Sequence, residues 1–272
     1  MRPLLATLVG LAVAVPIPTA TATGQQPRFD LAPTMAFLGE SVSGAIEDRD
    51  VERCAWIALA FLADGSTLRN GRYKDPLKLV IRDLRTWQDD RGRFAPGGTP
   101  CARAAQLLAS LAMTECYGLS NYKLLQRNVV QAAAATLDEL ARAGHTALGA
   151  DELALLAVLG ETVRAFGFDG QADAMERLAR AARGRIAVDH TRRTDAALHL
   201  TDLILGAKHP PEFTVAVAWP PAPRRDPLHA FFGAQALLRT APTTRRAATE
   251  PLHALLAERG DRGAWSAAVA TE

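Results

Sequence analysis

The residue of this chain best suited to chemistry is Glu115, a lone acid in the otherwise apolar stretch from Leu107 to Cys116. A carboxyl group in such surroundings either carries a hydrogen-bonding partner or shifts toward its protonated form, the state that a general acid needs. With a histidine such as His229 it would suit hydrolysis or lyase chemistry on a polymer. Tyr117 and Phe232 would complete a pocket around that pair. Asp64, Asp151 and Asp226 are further candidate acids, but Asp64 precedes Gly65 in a turn, and Asp75 and Asp226 precede prolines. At such positions a carboxylate caps a helix start without taking part in catalysis.

Metal chemistry has one candidate set, Asp195 and His199 four residues apart with His190 nearby. Pairs at this spacing on a helix are ordinarily plain stabilisers, so the expectation is that neither a metal nor another cofactor is held. Three cysteines, Cys54, Cys101 and Cys116, leave an odd one over. If Cys101 and Cys116 share a helix they stand about 22 Å apart, beyond the roughly 7 Å reach of a disulfide. Either Cys54 pairs with one of them, or all three are small buried hydrophobes. The chain contains no Gly-rich phosphate loop and no Gly-x-Ser-x-Gly element.

The net charge of +2 comes from 31 basic and 29 acidic residues, and the arginines cluster only as pairs such as Arg192-Arg193, Arg224-Arg225 and Arg245-Arg246. This excludes a basic face for nucleic acid. Apolar residues make up 49% of the chain, enough for a sizeable core. Arg2, the apolar run Leu4 to Val15 and Ala20-Thr21-Ala22 match the basic, apolar and A-x-A parts of a secretory signal peptide. The run is too short to span a bilayer as a helix, so no stable membrane span is expected after cleavage. The expected organisation is a signal peptide over 1–22, and one exported domain over 23–272 in the periplasm or outside the cell.

The elements that must position Glu115 are helices. Asp75-Pro76, Thr99-Pro100 and Asp226-Pro227 each read as a helix start. The helix from Thr99 is apolar nearly all round, as an enclosed helix should be, and Gly118 reads as the residue that ends it. The next, about 121 to 143, is amphipathic. The alternation recurs at 151 to 166 and 170 to 187, and at 52 to 63 and 75 to 88. Enclosed helices starting near 52, 100, 151, 192 and 227 give a period of roughly 35 to 50 residues, the mark of stacked helix pairs. The proline-rich segment His209 to Pro227 interrupts the repeat as an extended loop.

Within this pattern, Leu84 to Phe94 follows L-x-x-x-Q-x-x-x-G-x-F, with Gln88 six residues before Phe94. Together with Ala-Phe-Leu-Ala-Asp-Gly at 60 to 65, Gly-Arg-Tyr at 71 to 73 and Ala-Ser-Leu-Ala-Met-Thr-Glu-Cys-Tyr-Gly at 109 to 118, it resembles the squalene cyclase and prenyltransferase repeat superfamily. The likeness is to secreted bacterial members that have no assigned activity, and Gly263-Ala264-Trp265 looks like a terminal copy of the element. The resemblance implies an all-α fold, an α/α toroid of paired inner and outer helices. Gln106 stands where the group commonly has a histidine. Phe231 and Phe232 remain from an aromatic-rich inner helix, and a Gly-Gly-Trp element is missing before Asp151, so the ring is expected to be open or incomplete. Gln106, Phe231 and Phe232 thereby join Glu115 and Tyr117 as candidate binding residues. Gln88 is expected to bond free groups of a neighbouring helix end while Gly92 turns the chain and Phe94 covers the junction.

The chain lacks the Asp-x-Asp-Asp type motif of terpene cyclases, the Asp, Cys and His zinc set of protein prenyltransferases and the Gly-Cys-Gly-Glu-Gln thioester sequence. The function read from the sequence is therefore a non-catalytic, exported binding or scaffold module whose ligand is a peptide, a lipid or an envelope component. The alternative is a hydrolase or lyase acting on a cell-envelope or secreted polymer through Glu115 and a histidine. Mass spectrometry of the exported protein should find a mature N-terminus at Thr23; an N-terminus at Met1 would remove the signal-peptide reading.

Overall fold

The computed structural model describes residues 32–143, 148–186, 192–208 and 227–239. Among these the chain is all helical, with nine α-helices and, in place of strands, a single bridge between Gln88 and Phe94. The helices are α1 (Ala32–Glu47), α2 (Val51–Ala63), α3 (Lys74–Trp87), α4 (Arg103–Ser120) and α5 (Gln126–Ala143). They continue with α6 (Ala150–Ala165), α7 (Asp169–Arg183), α8 (Arg192–Ile204) and α9 (Pro227–Leu238). The signal-peptide reading, residues 209–226 of the proline-rich loop with Asp226, His190 and Trp265 fall outside the described residues, while Pro227 opens α9.

Two kinds of helix alternate along the chain. In α4 every residue from Ala105 to Cys116 is buried, and in α6 every residue from Leu153 to Gly160. Such helices need neighbours on all sides, and α2, α4, α6, α8 and α9 pack one against the next in that order. The other kind buries a single stripe, as α3 does with Leu77, Val80, Ile81 and Leu84, and α7 with Ala172, Met175, Leu178, Ala179 and Ala182. Helix α3 lies on α2, α5 on α4 and α7 on α6, each with its apolar stripe toward the enclosed partner. Ion pairs tie the rows where helix ends meet water. Arg103 of α4 stands 3.5 Å from Glu139 and 3.3 Å from Glu152, and Arg183 of α7 holds Asp202 of α8 with two bonds of 2.7 and 2.8 Å.

Several helix ends differ from the sequence expectation. Helix α3 begins at Lys74 with Tyr73 before it, so Asp75 and Pro76 lie inside the first turn. Thr99 and Pro100 do not start α4, because the segment stays extended until Ala102 and the helix begins at Arg103. The chain first completes a short 3-10 turn over Pro96–Gly98, and the Cys101 N–H bonds back to the Phe94 carbonyl. Helix α1 has no counterpart in the sequence reading. Its core face is Met35, Leu38, Val42, Ala45 and Ile46, a set at helical spacing broken in sequence by Gly39 and Gly44.

Gly118 does not end α4. The helix runs two residues further, to Ser120, and Asn121 closes it in the left-handed conformation with φ of 47°. Gly118 is instead a packing residue: a Cβ there would stand 2.1 Å from the ring of Phe166, at the end of α6. The missing side chain is what admits that ring.

The turn after α3 fastens the two rows. Gln88 donates to the Asn128 carbonyl at 2.9 Å and accepts from the Asn128 amide at 2.6 Å, so its partners lie in the first turn of α5 rather than on free N–H groups. Gly92, with φ of 86°, lies so close to α5 that a Cβ would stand 2.1 Å from the Gln131 carbonyl oxygen. Asp89 ties the turn internally by accepting the N–H groups of Arg91 and Arg93, both at 2.9 Å. Partial burial alone would raise its pKa, but these bonds and the Arg93 guanidinium hold the carboxyl below the usual range. Phe94 is fully buried at the junction.

These contacts order three glycine substitutions. At Gly92 the obstacle is backbone and φ is positive, so Gly92→Ala should cost about 3 kcal/mol or more. At Gly118 the obstacle is a ring that can shift, so Gly118→Ala should cost about 1–2 kcal/mol. Gly149 has φ of −74° and no atom within 4 Å of the added Cβ, so Gly149→Ala should cost only the cap preference, below about 1 kcal/mol. Urea unfolding of the three variants gives the order directly.

Candidate functional site

Glu115 lies in the fourth turn of α4, with no exposed surface. One carboxyl oxygen accepts a hydrogen bond from the Thr162 hydroxyl of α6 at 3.3 Å, and the other has no hydrogen-bond partner. Burial pushes its pKa up to about 8, the Thr162 bond opposing the shift in part. At neutral pH the residue is therefore mostly a neutral acid. That is the protonation state of a general acid, but no substrate could touch this one without the inner helices opening.

The other sequence candidates are dispersed. Tyr117, two residues on, points to another side of α4 and packs its ring 5.6 Å from that of Phe168 before α7. Gln106 is buried and spans the fastening turn: its side-chain oxygen accepts the Phe94 N–H at 2.9 Å and its amide donates to the Gly92 carbonyl at 3.2 Å. Phe231 and Phe232 are buried together on α9, ring centroids 5.8 Å apart. The side chain of His229 lies outside the described residues. The structure thus joins Phe231 to Phe232 and leaves Glu115, Tyr117 and Gln106 each with a separate partner.

His199 is buried on α8 with Asp195 one turn before it, and among the described residues no three His, Cys, Asp or Glu side chains gather as a metal would require. The three cysteines are free thiols. Burial pushes Cys54 and Cys116 up to about 12 and Cys101 to about 11, far from the thiolate a nucleophile or metal ligand needs.

Neither of two cavities on the described surface is lined by Glu115. The smaller, about 70 Å³, lies among α6, α7 and the end of α8, with Arg164 at its edge already paired to Asp173 at 2.9 Å and Glu176 at 2.8 Å. The larger, about 460 Å³, is a groove between α1 and α2. Phe37, Leu38, Trp56 and Ile57 form its apolar part, and Asp50, Glu52 and Arg53 its charged rim. Trp56 is braced edge-on by Phe231 of α9, ring centroids 5.3 Å apart. The sequence reading assigned no helix to α1, which supplies one wall, although Met35, Leu38, Val42, Ala45 and Ile46 stand at helical spacing there. The tryptophan within the Ala-rich and Leu-rich run of α2 was the available signal.

No family model, curated protein or solved structure matches the chain. Among the described residues no helix is long and apolar enough to cross a membrane.

The buried acid makes a signed prediction. An unfolded glutamate titrates near 4.5 and Glu115 in the fold near 8, so between these values only the folded state keeps the proton. Stability from this group is therefore fully present below about pH 4.5, falls as pH rises, and levels off above about 8. The slope is on the order of 1 kcal/mol per pH unit. Glu115→Gln should remove that slope, so denaturant unfolding at pH 5, 6.5 and 8 should show wild type losing stability more steeply than the variant. Parallel pH profiles would show that Glu115 is already ionised in the fold.

Proposed function

We propose that this chain is an exported, non-catalytic binding module built as an α/α toroid of the squalene cyclase and prenyltransferase repeat type. The observation that carries the reading is the burial of Glu115. The acid best suited to chemistry is sealed among α4 and α6, bonded to a threonine and absent from the lining of both cavities. A general acid must come within hydrogen-bond reach of the bond it cleaves, directly or through one water. A structural acid needs only a partner.

The ring architecture is supported by the succession of enclosed helices and by the contact of Trp56 with Phe231, which joins the first of them to the last. The turn at Gln88 to Phe94 supports kinship with the repeat superfamily, since it fastens an inner helix to an outer one as such an element should. Export rests on Arg2, the apolar run to Val15 and Ala20-Thr21-Ala22. The groove between α1 and α2 is the concave surface offered to a ligand, and its volume lies in the range of about 300–1,000 Å³ usual for binding clefts.

The test is incubation of the purified protein with peptidoglycan and a panel of acidic and neutral polysaccharides. Neither new reducing ends nor unsaturated products should form above the buffer blank. Turnover that disappears in a folded Glu115→Gln variant would establish the hydrolase or lyase and end the non-catalytic reading.

A further inference from the structure

We propose that the groove between α1 and α2 binds an extended peptide segment of a partner protein, in which an arginine stands beside an apolar side chain. The inference rests on reading the chain as a binding module and adds the chemistry of the ligand.

Three observations carry it. The first is a preorganised aromatic surface: Trp56 is half-buried, and Phe231 holds it from another helix, so little side-chain freedom remains to be lost on binding. The second is uncompensated negative charge. Of the rim residues, Arg53 reaches back to Asp48 at 3.6 Å, with its guanidinium against Gly44. Asp50 accepts the Arg53 N–H at 2.9 Å through one oxygen, and Glu52 is exposed with no bond or ion pair among the described residues. The third is apolar surface beside the charge: Phe37 is 40% exposed, with the half-buried Leu38 next to it.

A guanidinium group suits all three. It is planar and weakly hydrated, stacks on an indole, and offers paired N–H donors to a carboxylate. The groove is far larger than one side chain, which leaves room for an apolar neighbour against Phe37 and Leu38. A neutral saccharide or an acyl chain would leave the charge of Glu52 unused. An anionic headgroup would be repelled by it.

The experiment is calorimetric titration of the full chain with a short capped peptide of alternating arginine and leucine. The same peptide with glutamate for arginine, a neutral oligosaccharide and phosphatidylcholine vesicles serve as competing probes. The arginine peptide should bind at least about tenfold more tightly than the glutamate peptide. Glu52→Lys, at an exposed site in the first turn of α2, should lower the melting temperature only slightly through the helix dipole and weaken binding about tenfold, and Phe37→Ser should weaken it by a similar factor. Equal affinity for the two peptides, no measurable arginine-peptide binding, indifference to Glu52→Lys, or preference for the saccharide or the vesicles would each overturn the proposal. Polymer turnover would sink the non-catalytic reading instead, so the two failures are distinguishable.

Discussion

The enclosure of α4 on every side is the constraint from which the rest of the described structure follows. A helix surrounded by other helices has no water for its polar groups, and a buried polar group left unbonded costs more than most contacts return. Ser110 and Thr114 therefore bond the carbonyls four residues back, both at 2.7 Å, and Gln106 turns its amide into the fastening turn. Glu115 finds a single donor in Thr162 and avoids the cost of a buried charge by keeping its proton. The same enclosure that makes the acid look catalytic in pKa removes it from any substrate.

Enclosure also sets the size of side chains. Neighbouring helices can close around α4 only where bulk is missing, which is why Gly118 faces Phe166 and Gly92 presses its backbone against Gln131. Specificity between the rows comes from the few polar bonds at their edges, above all the paired amides of Gln88 and Asn128 and the two bonds from Arg183 to Asp202. The apolar stripes supply most of the burial and are interchangeable in kind. The amides and glycines decide which helix lies where.

Much of this could be read from the residues. The alternation of fully apolar and one-faced helices was visible in the spacing of leucine and alanine, and the enclosed set starting near 52, 100, 151, 192 and 227 is the set that packs consecutively. The element at Gln88, Gly92 and Phe94 was legible because its residue types have few other uses together. Gly118 was misread because a glycine near a helix end and a glycine that admits a ring look alike in one dimension. Thr99-Pro100 and Asp75-Pro76 were misplaced because a capping residue before proline marks a permissible start, while the neighbouring turn fixes the actual one.

Periodicity is local, so the chain alone was enough to establish helices, their order and which of them must be enclosed. Contacts between residues far apart are not local, and they decided the partners: Thr162 for Glu115, Phe168 for Tyr117, the fastening turn for Gln106 and Phe231 for Trp56. A candidate pocket of Glu115, Tyr117 and Phe232 was assembled from chemical type, and residue type carries no information on which side of a helix meets which neighbour. The groove between α1 and α2 arises only when α1 is laid against Trp56, and a tryptophan in an apolar run does not by itself say which helix will face it.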